Sequence, residues 1–218
     1  MPAPPEPPPP APAQPTGRSA TKRRAILDAA RTTFLRDGYA RATMDGVAAL
    51  AAVSKQTVYK HFADKKSLFT AVLTDEISAT EQRTRSMVAA LGDSDDIAAD
   101  LRAFARRHVV EVTEPHIVDL RRIVIAEADR FPDVAESWHA NGPERGHAAL
   151  AEQFAELADR GLLQLDDPLR AAQHFNWLVL SIPMNRAMFS PRARFTQAEL
   201  DGCAREAVRV FLAAYGRT

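Results

Sequence analysis

The sequence predicts an all-α protein of about nine helices, with a small head on a larger bundle. Three observations carry this. Apolar residues recur at three- and four-residue spacing along most of the chain, no stretch alternates long enough for a sheet, and prolines and glycines fall where helices start and stop. At 218 residues the chain can bury one sizeable core, or a small domain joined to a larger one.

The elements follow in order. Residues 1–17, MPAPPEPPPPAPAQPTG, hold nine of the fifteen prolines and nothing to bury, which predicts a disordered or polyproline tail. Over 19–37, Ile26, Ala30 and Phe34 recur every four residues, and Gly38 stands where a left-handed cap residue belongs. Thr43 is a good N-cap for a short helix over 44–51, with Val47 and Leu50 inward. Ser54 caps a second short helix to His61, and Asp64 a longer third in which Leu68, Val72 and Leu73 share a face. Further helices are expected over 95–113, 114–130, 132–140, 143–160, 168–189 and 196–215. Pro115, Pro132, Pro143 and Pro168 sit where a first helical turn tolerates them, and Gly92, Gly142 and Gly161 where helices stop. Pro183 falls inside a helical pattern and predicts a kink or a break.

Net charge is zero over the whole chain, but the average hides a split. Residues 17–75 carry eleven Lys/Arg against five Asp/Glu, a net of +6; residues 76–218 carry seventeen against twenty-two, a net of −5. An anionic partner is therefore expected for the first third only. This divides the chain into a tail over 1–17, a head over 18–75 and a body over 76–218.

The head carries the sharpest signal. Two short helices about three residues apart form the outline of a helix-turn-helix, whose second helix enters the major groove of DNA. Val58 and Phe62 point back toward Val47 and Phe34, which leaves Lys55, Gln56, Thr57, Tyr59, Lys60 and His61 outward. Gln56 can pair bidentately with adenine, Thr57 can touch a thymine methyl, and Lys60 can reach a guanine edge or a phosphate. Tyr59 and His61 suit flanking phosphates. Thr43 and Lys66 lie at the starts of neighbouring helices, where backbone N–H groups already favour phosphate.

The segment RRAILDAARTTFLRDGYARATMDGVAALAAVSKQTVYKHFADKKSLFTAVL resembles the DNA-binding domain of the TetR family of transcriptional regulators. Several separated pieces agree in order: the AA-x-x-x-F first helix, the G-Y before the turn, the T-M-x-x-V-A second helix, and V-S-x-x-T-V-Y-x-H-F-x-x-K-x-x-L. The resemblance implies DNA contacts from Thr43, Ser54, Lys55, Gln56, Thr57, Tyr59, Lys60, His61 and Lys66. The family usually has Gly in the turn between the two helices, and this chain has Ala52. Gly46 also sits inside the second helix of the head, where Gly costs up to about 1 kcal/mol relative to Ala.

The same resemblance implies a homodimer that reads a palindromic operator in double-stranded DNA and pairs through its last two helices, here 168–189 and 196–215. The first holds Phe175, Leu178, Val179 and Ile182, the second Ala204, Val208, Phe211 and Leu212. Residues 120–188, with R-R-I-V-I-A-E-A-x-R-F-P-x-V-A and later D-D-P-x-x-A-A-x-x-F, look like the C-terminal domain of regulators related to multidrug-efflux repressors. That implies a pocket for a small apolar or amphipathic ligand whose binding releases the repressor from DNA. The candidate pocket residues are Phe104, His108, Arg121, Val124, Ile125, Phe131, Trp138, Phe154, Phe175, Asn176, Trp177, Met184 and Met188, with His108 and Asn176 as the polar anchors. Such residue types pack in cores more often than they line pockets.

Other classes find little support. Nucleophile motifs, H-E-x-x-H and Gly-rich phosphate loops are absent from the sequence, so no catalytic residues are expected. The six His include no i, i+4 pair, and neither a metal nor a cofactor is expected. A single Cys203 excludes an intrachain disulfide, no run of about 18 apolar residues exists to span a membrane, and no secretory leader is read. A cytoplasmic location is expected. Two rival readings stand beside this one: a regulator that has no small-molecule ligand or that activates, and a helical enzyme or carrier whose basic head is incidental.

Overall fold

A computed structural model describes residues 17–190, 192 and 194–217. The tail expected over 1–17 lies outside the described residues, apart from Gly17, which opens the first helix. Ten α-helices follow: α1 (Gly17–Arg41), α2 (Met44–Leu50), α3 (Lys55–His61), α4 (Lys65–Leu91), α5 (Ile97–Val112), α6 (Pro115–Ala126), α7 (Pro132–His139), α8 (Arg145–Asp159), α9 (Pro168–Phe189) and α10 (Gln197–Tyr215). A π-turn, Ala140–Glu144, joins α7 to α8 without a break, so the described residues form nine helical rods.

Local signals place most of the boundaries. Thr43, Ser54, Asp64, Asp96, Asp167 and Thr196 all cap their helices with a side-chain oxygen, and Thr196 with Glu199 completes a capping box. Pro115, Pro132 and Pro168 occupy first turns as expected. Gly38 breaks α1 with φ 73° and ψ 170°, a backbone conformation essentially reserved for glycine.

Four expectations change. Leu50 is 49% exposed, because the seven-residue α2 buries the face of Met44, Val47 and Ala48 instead. Pro143 lies inside the π-turn rather than starting a helix, since the widened turn keeps the chain helical past it. Helix α6 ends at Ala126, and hydrogen-bonded turns carry the chain on to Phe131. Pro183 is buried within α9, which continues unbroken to Phe189.

Two cores hold the protein. The head core joins α1–α4 through Ile26, Phe34, Val47, Val58, Phe62, Leu68 and Phe69, and extends onto Leu120 and Val124 of α6 and Val134 of α7. The body core gathers Leu101, Phe104, Val109, Phe154, Leu157, Phe175, Val179 and Phe211 from α5, α8, α9 and α10. Phe154, Phe175 and Phe211 pack ring against ring, with centroids 5.1–5.8 Å apart.

Polar links tie the head to the body. The buried Glu76 of α4 accepts from Arg31 of α1 at 2.6 Å and faces His116 of α6 at 3.3 Å. The His116 hydrogen bond, and then Arg31, hold the Glu76 carboxyl far below its usual range, at about 2. Arg122 of α6 donates to the carbonyls of Ala187 and Met188, which fastens α6 to the last turn of the long helix α9.

Candidate nucleic-acid interface

Helix α3 is short and would not stand alone. It is anchored from below. Val58 is fully buried in the head core, a burial worth about 1.5–3 kcal/mol, and Phe62 follows it. Its start is fixed by Ser54, whose Oγ accepts from the Thr57 amide at 3.1 Å and pairs with the Thr57 hydroxyl at 2.8 Å. The Thr57 hydroxyl is thus engaged within the helix, and its methyl is left for an apolar contact. In the same way Thr43 Oγ1 accepts from the Gly46 amide at 3.0 Å. A Cβ on Gly46 would lie 3.1 Å from that oxygen, so the glycine inside α2 leaves room for the cap.

The turn between α2 and α3 has a specific geometry. Val53 N–H donates to Ala48 O at 3.1 Å, and Ala52 N–H to Ala49 O at 3.3 Å. This is the Schellman pattern, which needs a left-handed residue after the C-cap. Ala52 supplies it with φ 53°, the one positive φ at a non-glycine among the described residues.

With the turn set, Lys55, Gln56, Tyr59 and Lys60 are exposed, and Thr57 and His61 are partly so. His61 sits beside Lys60, Arg23 and Lys22; its own burial and then these cations push its pKa down, which leaves it neutral near neutral pH. Lys22 and Arg23 thereby join the basic face, and Arg23 also stacks 5.3 Å from the Phe62 ring centre. Neither was singled out from the sequence; the cluster of cations at the start of α1 was the available signal.

Two of the expected contacts are already occupied by acids. Lys55 pairs with Asp45 of α2 at 2.9 Å. Lys66 pairs with Asp133 of α7 at 2.8 Å and lies 5.4 Å from the Phe131 ring centre. Phosphate would compete with these carboxylates for the same ammonium groups. Its neighbour Lys65 has another task. The Lys65 ammonium donates to the carbonyls of Tyr39, Ala40 and Ala42 at 2.8–3.1 Å and so pins the loop that presents Thr43.

The pocket candidates divide between the two cores. Phe104, Phe154, Phe175 and Met184 are buried in the body core, with Met188 packed against it. Val124 is buried in the head core, against which Phe131 and Trp138 pack. Trp177 and Ile125 are more than half exposed. One group is polar: His108 Nε2 pairs with Asn176 Oδ1 at 2.9 Å, and the His108 ring stacks on Phe104. Nearby, the buried atoms Glu111 Oε2 and His147 Nε2 have no hydrogen-bond partner among the described residues. Burial alone lowers the pKa of Arg121, and no carboxylate among the described residues pairs with it.

The apolar stripe of α10 faces inward: Ala204, Val208 and Phe211 are buried in the body core. Helix α9 is apolar on both sides. Phe175 and Val179 are buried, while Ile182 is 72% and Phe189 83% exposed, with Trp177 and Leu178 beside them.

Comparison with known proteins agrees with this architecture. The family model described as bacterial regulatory proteins, tetR family, matches residues 26–72, and that of the AefR-like transcriptional repressor C-terminal domain matches residues 99–217. A TetR-family transcriptional regulator from Mesorhizobium loti superposes with a TM-score of 0.89 at 40% identity, over 93% of this chain and 100% of that one. The flavonoid-responsive regulator FrrA superposes with a TM-score of 0.73 at 26% identity, over 90% of this chain and 98% of that one. A DNA-binding transcriptional repressor TetR of Mycobacteroides abscessus is 37% identical over 82 residues, which are 34% of this chain and 43% of that protein. The match thus spans less than half of that curated relative. Taken with the helix-turn-helix head and the helical body, these matches place the chain in the TetR family of bacterial transcriptional regulators.

Proposed function

We propose that the protein is a homodimeric transcriptional repressor that binds a palindromic operator through α3 and is released by a small apolar or amphipathic ligand. The observation that carries the DNA reading is the two-sidedness of α3: Val58 is fully buried, while Gln56, Tyr59 and Lys60 stand free on a basic face. The exposed stripe of Leu178, Ile182 and Phe189 on α9 supports pairing, since apolar side chains at this density are rarely left in water. The ligand reading is supported by the orphaned polar atoms around His108 and Asn176. Similarity to a flavonoid-responsive regulator points the same way. The tightly packed phenylalanines of the body favour a second reading, a regulator without a ligand.

The test is DNA affinity at several salt concentrations. Lys60→Ala should weaken binding and lower the salt slope by about 1 if it meets a phosphate. Gln56→Ala should relax preference at one base pair and cost about 1–3 kcal/mol of discrimination. Unchanged affinity and slope in both variants would overturn the assignment of α3.

A further inference from the structure

A slot of about 130 Å³ opens between α4 and the rod formed by α7, the π-turn and α8. Its apolar side is made by Leu73, Ile77, Val134 and Trp138, and its rim by Thr74, Ser137 and Asn141 among others. It shares Thr70, Thr74 and Ser78 with an open groove of about 730 Å³, which gives it a way in from solvent. The slot lies at the junction of head and body, and none of its lining residues is one of His108, Asn176, Glu111 or His147.

We propose that this slot is a small-molecule site that takes a neutral, single-ring phenol. Size is the first argument. An apolar cavity of about 150 Å³ accommodates benzene in a protein interior, so about 130 Å³ with one open end suits one ring. Charge is the second. The ions of the site neutralise each other, Arg145 with Glu81 at 3.2 Å on the rim of the slot and Lys66 with Asp133 at 2.8 Å in the adjoining groove. A charged ligand would have to compete with the Arg145–Glu81 pair, whereas a hydroxyl can donate to the oxygens of Thr74 and Ser137, whose present hydrogen bonds to Thr70 O and from Asn141 Nδ2 leave them able to accept. The third is the π-turn itself, a feature that recurs at functional sites. It sets Gly142 against α4, where a Cβ would lie 3.8 Å from Ile77, and brings Asn141 to the slot.

The slot is also placed to act on the head. Leu73 and Val134 belong to the head core, and Trp138 packs against it. The Lys66–Asp133 pair ties α4 to α7 beside the slot, so a ring that binds better when these two helices stand further apart would shift the head. This coupling rests on the DNA-binding reading above; occupancy of the slot does not.

The chain has two tryptophans, Trp138 and Trp177, one at the slot and one on the exposed side of α9. Full-length protein labelled with 5-fluorotryptophan therefore gives two fluorine resonances, assigned with Trp177→Phe. Titration with phenol should shift the Trp138 resonance saturably and leave Trp177 unmoved. Benzoate, the same ring with a charge, should bind at least tenfold more weakly. Ser137→Leu fills the slot from α7 and Thr74→Leu from the exposed side of α4; either, once shown to melt as the parent does, should abolish the shift. A still Trp138 resonance, an equal response to benzoate, or an undiminished shift in the well-folded filled variants would overturn the site. Where phenol binds, it should weaken DNA affinity several-fold in the parent and not in the filled variants. Binding with unchanged DNA affinity would keep the site and overturn its coupling. A protein that binds no DNA at all would sink the reading above while the fluorine titration still decides the slot.

Discussion

The turn before α3 gives a quantitative prediction. Ala52 holds φ 53° at the left-handed position of a Schellman cap and is exposed, so its methyl packs against nothing that matters. A left-handed residue with a Cβ costs about 1–2 kcal/mol, while glycine costs roughly 0.5–1 kcal/mol more than alanine to order. Ala52→Gly should therefore stabilise the protein by about 0.5–1 kcal/mol, a rise in Tm of roughly 1–4 °C for a chain of this size. Ala49→Gly is the control. Ala49 is an exposed residue of α2, where the same change should destabilise by about 0.5–1 kcal/mol. Thermal unfolding followed by circular dichroism, at one protein concentration, reads both. A fall in Tm for Ala52→Gly like that for Ala49→Gly would mean that alanine bears no strain at this position.

Three further outcomes follow from the structure. Glu76 is buried with its carboxyl held at about 2, against 4.5 in an unfolded chain. Its stabilisation, on the order of 3 kcal/mol, is present above pH 4.5 and is lost as pH falls toward 2; melts of Glu76→Gln should be less stable near neutrality and flatter across that window. Asp133→Asn frees Lys66 from an exposed pair worth up to about 1 kcal/mol, so operator affinity measured by fluorescence anisotropy should rise up to about fivefold. Ile182→Asp places a charge in the exposed stripe of α9 and should convert the proposed dimer to a monomer in sedimentation analysis, with unchanged helicity.

What could be read from the sequence was local. Thr43, Ser54 and Asp64 announce three helix starts because each cap is made within three residues of itself. The left-handed turn at Ala52 was legible only through the family resemblance, which usually has Gly at that position. Leu50 misled because a seven-residue helix shows too little periodicity to tell its buried face from the next one. The π-turn could not be foreseen, since Pro143 is equally at home in a first helical turn. Of the proposed DNA contacts, the sequence conveyed which side chains α3 turns outward, but not that Lys55 and Lys66 rest against Asp45 and Asp133, partners 10 and 67 residues away. The pocket candidates fared as residue type alone allows: an aromatic or Met at helical spacing reports burial, and which of the two cores receives it depends on tertiary packing.

The central claim is that two copies of α3 read a palindrome. Selection of random duplex DNA on the purified protein at near-physiological salt, read by sequencing, tests it most directly. The account predicts an enriched palindrome whose half-sites lie about one helical turn apart. Enrichment of a single half-site would contradict the dimer, and no enrichment would contradict the DNA reading itself.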